Sequence, residues 1–248
     1  MTELLSNCLT ARWPALPRVR TCITTRIGGN SQAPWDSFNM AAHVGDDAEM
    51  VAANRTQLQQ ALDCQPAWLQ QSHSTRVVAA DPGQDVDADA SWTDTPGIAC
   101  AVLTADCLPV LLTTFAADRV AAAHAGWRGL ADGVVENTLA ALEVPGNQVL
   151  AWLGPAIGPQ AFEVGEDVVE AFVRQDDSAW QAFEETGQAG KYLANIYQLA
   201  RMRLKAAGVE HIYGGDLCTV SDPQRFYSYR RDGDTGRMAS LIWLADAD

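Results

Sequence analysis

The amino-acid sequence predicts an α/β (α+β) protein in which mixed β-sheets are flanked by helices. Three features of its 248 residues support this fold class. Short apolar runs between turn-forming residues are typical of strands that are covered on both faces. Helical stripes are interspersed with these runs without strict alternation. No linker, fixed repeat or sharp change of composition divides the chain, so residues 1–248 are predicted to form a single domain.

The first part of the chain predicts one strand and one helix. "RVRTCITTR" (18–26) is rich in β-branched residues and is followed by two glycines, which is typical of a strand that ends in a turn. Asp46 and Asp47 are suitable N-caps for a helix that runs towards Leu62.

The central part is the richest in predicted strands. Apolar runs at 98–105, 108–115 and 120–127 are each short enough for a buried strand. "RGLADGVVENTLAALE" (128–143) predicts one helix, and "VLAWLGP" (149–155) predicts a further strand.

The last part predicts a helix between strands. Its apolar stripe has helical spacing and ends at Gly208, as a C′ glycine would. The stripe consists of Leu193, Ile196, Tyr197, Ala200 and Leu204. The segments 210–218 and 236–244 supply late strands.

The composition excludes several classes of function. The formal net charge of −14 is unsuited to binding nucleic acid or an anionic membrane, both of which attract basic surfaces. No apolar run approaches the ~18–20 residues of a membrane helix. The amino-terminal segment lacks the pattern of a secretory signal, and six scattered cysteines indicate free thiols in a reducing compartment. We therefore expect a cytoplasmic protein that acts on a small molecule.

Two histidines and one cysteine stand out because they lie at or near the ends of predicted strands. They are His73 in "LQQSHSTRV", Cys107 in "TADCLPV" and His124 in "HAGWRG". Side chains at strand ends meet at one rim of a sheet, and two imidazoles with one thiolate are a natural ligand set for zinc. Three protein ligands leave a fourth position for water or substrate, which indicates catalysis.

The same atoms allow a second interpretation without a metal. Cys107 would be the nucleophile of an amidase that acts on a peptide or edits a peptidoglycan precursor, and His124 would be its base. Asp106 would orient that base poorly, because neighbouring strand residues point to opposite faces. In the metal interpretation, Asp106 would support a metal ligand or simply form a turn. The spacing of these residues leaves both interpretations open.

Longer stretches around these residues resemble a known family. "TADCLPVLL" and "AAAHAGWRGL", with "QQSHS" before them and "LGPAIGPQAFEVGEDV" after them, are similar to the YfiH family. "TTRIGGNS", "SFNMAAHVGDD" and "SYRRDGDTGRMASLIWL" extend the resemblance over nearly the whole chain. Members of this family have been called laccase-domain proteins, polyphenol oxidases and purine nucleoside phosphorylases.

The resemblance implies a fold, a metal site and an activity. The fold is a sandwich of mixed sheets related to bacterial cysteine hydrolases, and the site is one zinc held by His73, Cys107 and His124. The activity is phosphorolysis of purine nucleosides such as inosine and adenosine, with adenosine deaminase and methylthioadenosine phosphorylase side activities. The family usually has Gln-Val-His-Gly at the first ligand, whereas Ser74 stands here in place of the glycine.

The histidine content tests the laccase label. A multicopper oxidase needs on the order of ten histidines, and this chain has four. Only copper bound in the zinc site remains compatible with a polyphenol oxidase.

Phosphorolysis also needs groups that hold phosphate and substrate. The candidates are Arg26, Asn39, Arg128 and Arg230. Arg128 ranks first, because it follows His124 by four residues and has glycines nearby on both sides. Trp127 or Phe226 could stack on a purine. The acidic stretch 81–94 lacks the pattern of a calcium-binding loop and predicts a solvated loop.

Overall fold

The computed structural model describes residues 3–246. Within that range the chain forms fifteen strands: β1 (Val19–Ile23), β2 (Gln65–Ala67), β3 (Leu69–Gln70), β4 (Val77–Ala79), β5 (Val86–Asp87), β6 (Ala90–Thr93), β7 (Ile98–Thr104), β8 (Leu108–Thr114), β9 (Val120–Ala125), β10 (Val149–Leu153), β11 (Glu163–Gly165), β12 (Phe183–Glu185), β13 (Lys191–Ala194), β14 (His211–Gly214) and β15 (Met238–Leu244). Its α-helices in the same range are α1 (Glu3–Ser6), α2 (Ala48–Ala61), α3 (Trp127–Asp132), α4 (Val134–Ala141), α5 (Glu166–Val173), α6 (Ile196–Ala206) and α7 (Tyr229–Asp232), and two short 3₁₀ helices cover Gly146–Gln148 and Asp177–Ala182. None of the helices described is long and apolar enough to cross a bilayer.

Two large sheets pack face to face and form the centre of the molecule. One has the strand order β1-β15-β7-β2 and the other the order β14-β10-β8-β9-β6-β4. Each contains both parallel and antiparallel pairs. Buried residues of both sheets meet between them, among them Val102 of β7, Leu111 of β8 and Ile242 of β15. The prediction of mixed sheets flanked by helices is confirmed.

Helices cover the outer face of each sheet, which explains the continuous apolar runs. On β7, Ala101 and Leu103 pack towards Leu58 of α2, whereas Cys100 and Val102 face the other sheet. The outer face of the six-stranded sheet packs against α3, α4, α5 and α6 in a second cluster. Because both faces of these strands are buried, alternation between polar and apolar residues is lost.

The predicted helix over 128–143 is in fact two helices. Gly133 separates α3 from α4 and has a φ of 105°, a left-handed conformation that favours glycine. The predicted stripe of the late helix also begins too early. Leu193 belongs to β13, and α6 begins at Ile196 because the Asn195 side chain caps it by accepting from the Gln198 amide.

The chain passes from one sheet to the other at residues 105–107, and this crossing positions the functional side chains. β7 ends at Thr104 in the four-stranded sheet, and β8 begins at Leu108 in the six-stranded sheet. β9 ends beside the start of β8, with Ala125 opposite Leu108. Cys107 and His124 therefore lie at the same rim of the sandwich.

Candidate metal centre

His73, Cys107 and His124 converge as the sequence predicts. Their ligand atoms all lie within 4.8 Å of one another. The Cys107 Sγ atom is 3.7 Å from Nε2 of His73, and the two imidazole rings meet edge to face with centroids 4.8 Å apart. Tetrahedral zinc would hold a nitrogen and a sulfur about 3.6 Å apart, given its usual bond lengths. The three donors thus fit such an ion in both chemistry and spacing.

Asp89 connects the two histidines. Its side chain is fully buried, and its Oδ1 lies 2.7 Å from Nδ1 of His124. The same oxygen accepts a hydrogen bond from the His73 amide at 3.0 Å. Because Asp89 occupies Nδ1 of His124, Nε2 is the atom left to face a metal, a common arrangement for histidine ligands.

The second oxygen of Asp89 holds the loop that carries His73. It accepts hydrogen bonds from the Ser72 amide at 3.2 Å, the Ser74 amide at 2.6 Å and the Ser74 hydroxyl at 2.7 Å. His73 itself has a φ of 62°. Ser74 has no left-handed φ, so glycine is not required there, and its hydroxyl adds a further donor to Asp89.

Gln71 ties the same loop to the four-stranded sheet. Its side-chain amide donates to the carbonyl of Leu103 at 2.8 Å, and its side-chain carbonyl accepts from the Leu103 amide at 2.7 Å. The side chain thereby pairs with β7 as a neighbouring strand would. His73 is exposed, but its backbone is fixed on both sides.

Asp106 shapes the turn that presents Cys107. It has a φ of 83°, and its carboxylate accepts from the Thr219 hydroxyl, the Ser228 hydroxyl and the Arg230 amide. Asp106 therefore forms a turn and anchors distant loops, and in this structure it is Asp89 that supports the two candidate histidine ligands.

Gly126 allows the three ligands to approach one another. A Cβ atom at this position would lie 2.7 Å from Cδ2 of His73 and 3.1 Å from Sγ of Cys107. Real Cβ atoms essentially never come as close as 2.7 Å. Gly126, two residues after His124, is therefore required for the close approach of His73 and Cys107.

Contacts among Asp89, His124 and Cys107 shift the pKa of each of these groups. Burial works to raise the pKa of Asp89, but hydrogen bonds from His124 and Ser74 outweigh it and lower that pKa to about 2. Burial works to lower the pKa of His124, whereas Cys107 and Asp89 raise it to about 9. Burial works to raise the pKa of Cys107, yet His124 and His73 lower it to about 6. The two histidines thus favour the thiolate form of Cys107, which is the form of cysteine that binds metal ions.

A cavity of about 440 Å³ opens over the three ligands. Besides them it is lined by His43, Gln71, Leu103, Thr104, Ala105, Asp106, Trp127, Arg128, Ile157, Phe162, Ile196, Tyr229, Arg230 and Arg237. All lining residues belong to the described part of the chain. They include three arginines and one carboxylate, that of Asp106. The cavity is therefore locally cationic in a protein with a net charge of −14.

The structure places two of the four predicted substrate-binding residues in the cavity lining and two outside it. Arg128 and Arg230 line the cavity, whereas Arg26 and Asn39 do not. The Arg26 guanidinium donates to the backbone and side chain of Asp36 and to the carbonyl of Pro223. Of the two predicted stacking residues, Trp127 lines the cavity, but Phe226 is fully buried elsewhere.

Sequence reasoning missed Asp89 and misassigned its surroundings. The predicted solvated loop over 81–94 instead contains β5 and β6. Asp89 lies between them and is 0% exposed. The signal that could have found it is the mostly uncharged segment around it, "ADASWT" (88–93), in which Ala88, Ala90 and Ser91 are also buried.

A mixed two-sheet sandwich with a His–Cys–His ligand group at its rim defines this chain as a protein with a single candidate metal centre among its described residues. Residues 20–245 match the family model described as multi-copper polyphenol oxidoreductase laccase. Curated relatives with the same extent carry the name YfiH. The chain belongs to the YfiH family.

Relatives and solved structures match over nearly the full length. The purine nucleoside phosphorylase of Pseudomonas aeruginosa is 56% identical, covering 96% of this chain and 98% of its own length. The purine nucleoside phosphorylase YfiH of Escherichia coli is 52% identical, covering 97% and 100%. A crystal structure of a Neisseria meningitidis protein superposes with a TM-score of 0.95 at 55% identity, covering 97% of this chain and 100% of that one.

Asp89→Asn is expected to weaken zinc binding by roughly 10- to 100-fold, because outer-shell partners of metal ligands contribute about that much. The amide cannot accept all the donors that now converge on the carboxylate. Competition with a chromophoric chelator measures the affinity. Asp87→Asn is the matched control, since Asp87 is exposed and accepts only from the Ser72 hydroxyl. Equal zinc affinity in the two variants would contradict the role of Asp89.

Gly126→Ala is expected to weaken zinc binding by roughly tenfold or more, because the added methyl group displaces His73 or Cys107. The φ of Gly126 is −59°, which alanine adopts readily, so the effect is steric rather than conformational. Gly83→Ala, in an exposed turn, serves as the control. The same chelator competition applies, and an unchanged affinity in Gly126→Ala would refute the steric argument.

Proposed function

We propose that the chain is a zinc-dependent purine nucleoside phosphorylase. It would convert inosine or adenosine and inorganic phosphate into the free base and ribose 1-phosphate. The observation that carries this proposal is a single cavity whose lining contains both the three converging candidate metal ligands and three arginines. Relatives that bear the name purine nucleoside phosphorylase support it.

His73, Cys107 and His124 would hold the zinc ion. When bound, zinc supplies a Lewis acid that polarises an oxygen atom brought next to it. Copper also accepts imidazole and thiolate ligands, so metal analysis belongs to the test. The multicopper machinery of a laccase has too few ligands here, because His211 packs against Phe115, away from the cavity lining, and only His43 remains.

The other lining residues suit the two substrates. The Arg128 side chain makes no hydrogen bond or ion pair with the described residues, and its guanidinium lies 4.4 Å from the ring centroid of Trp127. It is therefore available to an anion. Phe162 and the exposed Tyr229 offer aromatic surface on which a purine can stack. Binding both substrates in one cavity would bring the phosphate oxygen to the anomeric carbon and limit competing attack by water.

The purified protein, loaded with zinc, is expected to release free base from inosine or adenosine only when phosphate is present. Chromatography of the base and of ribose 1-phosphate measures the reaction. The chelated protein and His73→Ala are the controls, and both should lose activity. Methylthioadenosine, and adenosine without phosphate, test the two proposed side activities in the same assay. Release of no base above the chelated control would end the proposal.

One observation favours a second candidate function, a cysteine amidase. His124 contacts the buried Asp89 through Nδ1, and its other nitrogen lies within 4.8 Å of the Cys107 thiolate. Cysteine, histidine and aspartate in this order are the parts of a nucleophilic triad. Asp89 would supply the orienting carboxylate that Asp106 cannot provide. His73 has no part in a triad.

Alkylation of Cys107 by iodoacetamide separates the two candidates. A zinc-bound thiolate is expected to resist the reagent until a chelator is added, because the metal occupies its lone pair. A free catalytic thiolate would react at once with or without chelator. Peptide mass spectrometry follows Cys107, and the half-buried Cys218 in the same sample should react equally under both conditions. An amidase would in addition keep its activity in His73→Ala.

A further inference from the structure

Arg237 stands at the rim of the cavity although no sequence signal singled it out. It immediately precedes β15, whose residue Met238 pairs with Thr104 at the end of β7. The sheet register thus places Arg237 beside the crossing that leads to Cys107. It lines the same cavity as the three candidate metal ligands.

One edge of the Arg237 guanidinium is fixed and the other is free. Nη1 donates to the carbonyl of Thr235 at 2.8 Å and to that of Gly236 at 3.0 Å. Nε and Nη2 make no hydrogen bond with the residues that the structure describes. These two nitrogens form the side-on edge with which arginine binds an oxyanion through two parallel hydrogen bonds.

Asn39 fixes the backbone of Arg237. The buried Asn39 side chain accepts from the Arg237 amide at 2.9 Å, and the Met40 amide donates to the Arg237 carbonyl at 3.2 Å. Asn39 is itself held by Ala41 and Asp46. A guanidinium anchored at both its backbone and its Nη1 loses little freedom when an anion binds, which favours affinity.

The other two arginines of the lining are less suited to this task. Both terminal nitrogens of Arg230 donate to backbone carbonyls, those of Ala161 and Glu163. The Arg128 side chain has no hydrogen-bond partner among the described residues, but it is exposed and lies over the ring of Trp127. Arg237 alone among the cavity arginines combines a fixed position with a free bidentate edge, within the described residues.

We propose that Arg237 is the principal phosphate-binding residue of the cavity, holding inorganic phosphate through Nε and Nη2, with Asn39 as its positioning residue. This inference rests on the proposed phosphorylase function. It leaves Arg128, which is exposed, a secondary role as a further cation of the cavity lining.

The test measures phosphate binding and catalysis separately. Isothermal titration of the zinc-loaded protein with inorganic phosphate gives a Kd, and initial rates give KM for phosphate and for inosine. Arg237→Gln is expected to raise both the Kd and the KM for phosphate by roughly 10- to 100-fold, since charge-assisted hydrogen bonds are lost. The KM for inosine should stay within about twofold. Arg237→Lys keeps the charge but not the bidentate edge, and should also be impaired.

Two controls accompany these variants. Arg225→Gln removes an arginine that pairs with Asp222 outside the cavity lining and should leave all constants unchanged. Inosine 5′-monophosphate, titrated in parallel, distinguishes a phosphomonoester from inorganic phosphate as the anion. If circular dichroism shows that Arg237→Gln does not fold, the Kd and KM of Arg237→Lys for phosphate test the inference.

The outcomes separate the inference from the function on which it rests. Phosphorolysis with an unchanged phosphate Kd in both Arg237 variants overturns the inference and leaves the phosphorylase intact. Phosphate binding that depends on Arg237, without release of base from any nucleoside, overturns the phosphorylase and retains the anion site. Arg237-dependent binding of the monophosphate but not of inorganic phosphate overturns the assignment of the ligand.

Discussion

The buried carboxylate of Asp89 is the group on which the candidate metal centre depends. A buried charge is costly by several kcal/mol unless hydrogen bonds replace its lost hydration. Here five donors converge on it: the His124 ring, the hydroxyl of Ser74, and the amides of residues 72, 73 and 74. One side chain therefore sets the orientation of one histidine and the loop position of the other. It also raises the pKa of His124, and His124 in turn lowers the pKa of Cys107.

The sandwich explains why such distant residues meet. Cys107 belongs to the segment that leaves one sheet and enters the other, and His124 closes the neighbouring strand. The four-stranded sheet contributes the start of β15 to the same rim, and with it Arg237. The cavity is thus the space at the open end of two stacked sheets. The candidate metal ligands reach it from the loop after β3, from the crossing before β8 and from the end of β9, and the anchored arginine reaches it from the start of β15.

The sequence predicted features that depend on local residue chemistry. It did not predict features that depend on which strands pair and in which register. Apolar runs identified β7, β8 and β9, since burial on both faces leaves a mark in composition. Residue types pointed to the candidate ligand trio but left a cysteine nucleophile open, and the resemblance to the YfiH family favoured the metal site. Asp89 escaped notice because an acidic stretch resembles a solvated loop until its hydrogen-bond partners are known. Arg237 was missed because its place depends on which strand pairs with β15, and no periodicity encodes that pairing.

The turn at Asp106 has a consequence for how this protein is dissected by mutation. Its carboxylate joins the residue before the thiolate to the segments around Thr219 and Ser228 and to the backbone of Arg230. Replacing Asp106 would remove these hydrogen bonds, and it would thereby loosen both the turn that carries Cys107 and the lining segment at Arg230. Loss of function in an Asp106 variant would consequently not show that this carboxylate carries a proton, because the position of the thiol and part of the cavity lining would change at the same time.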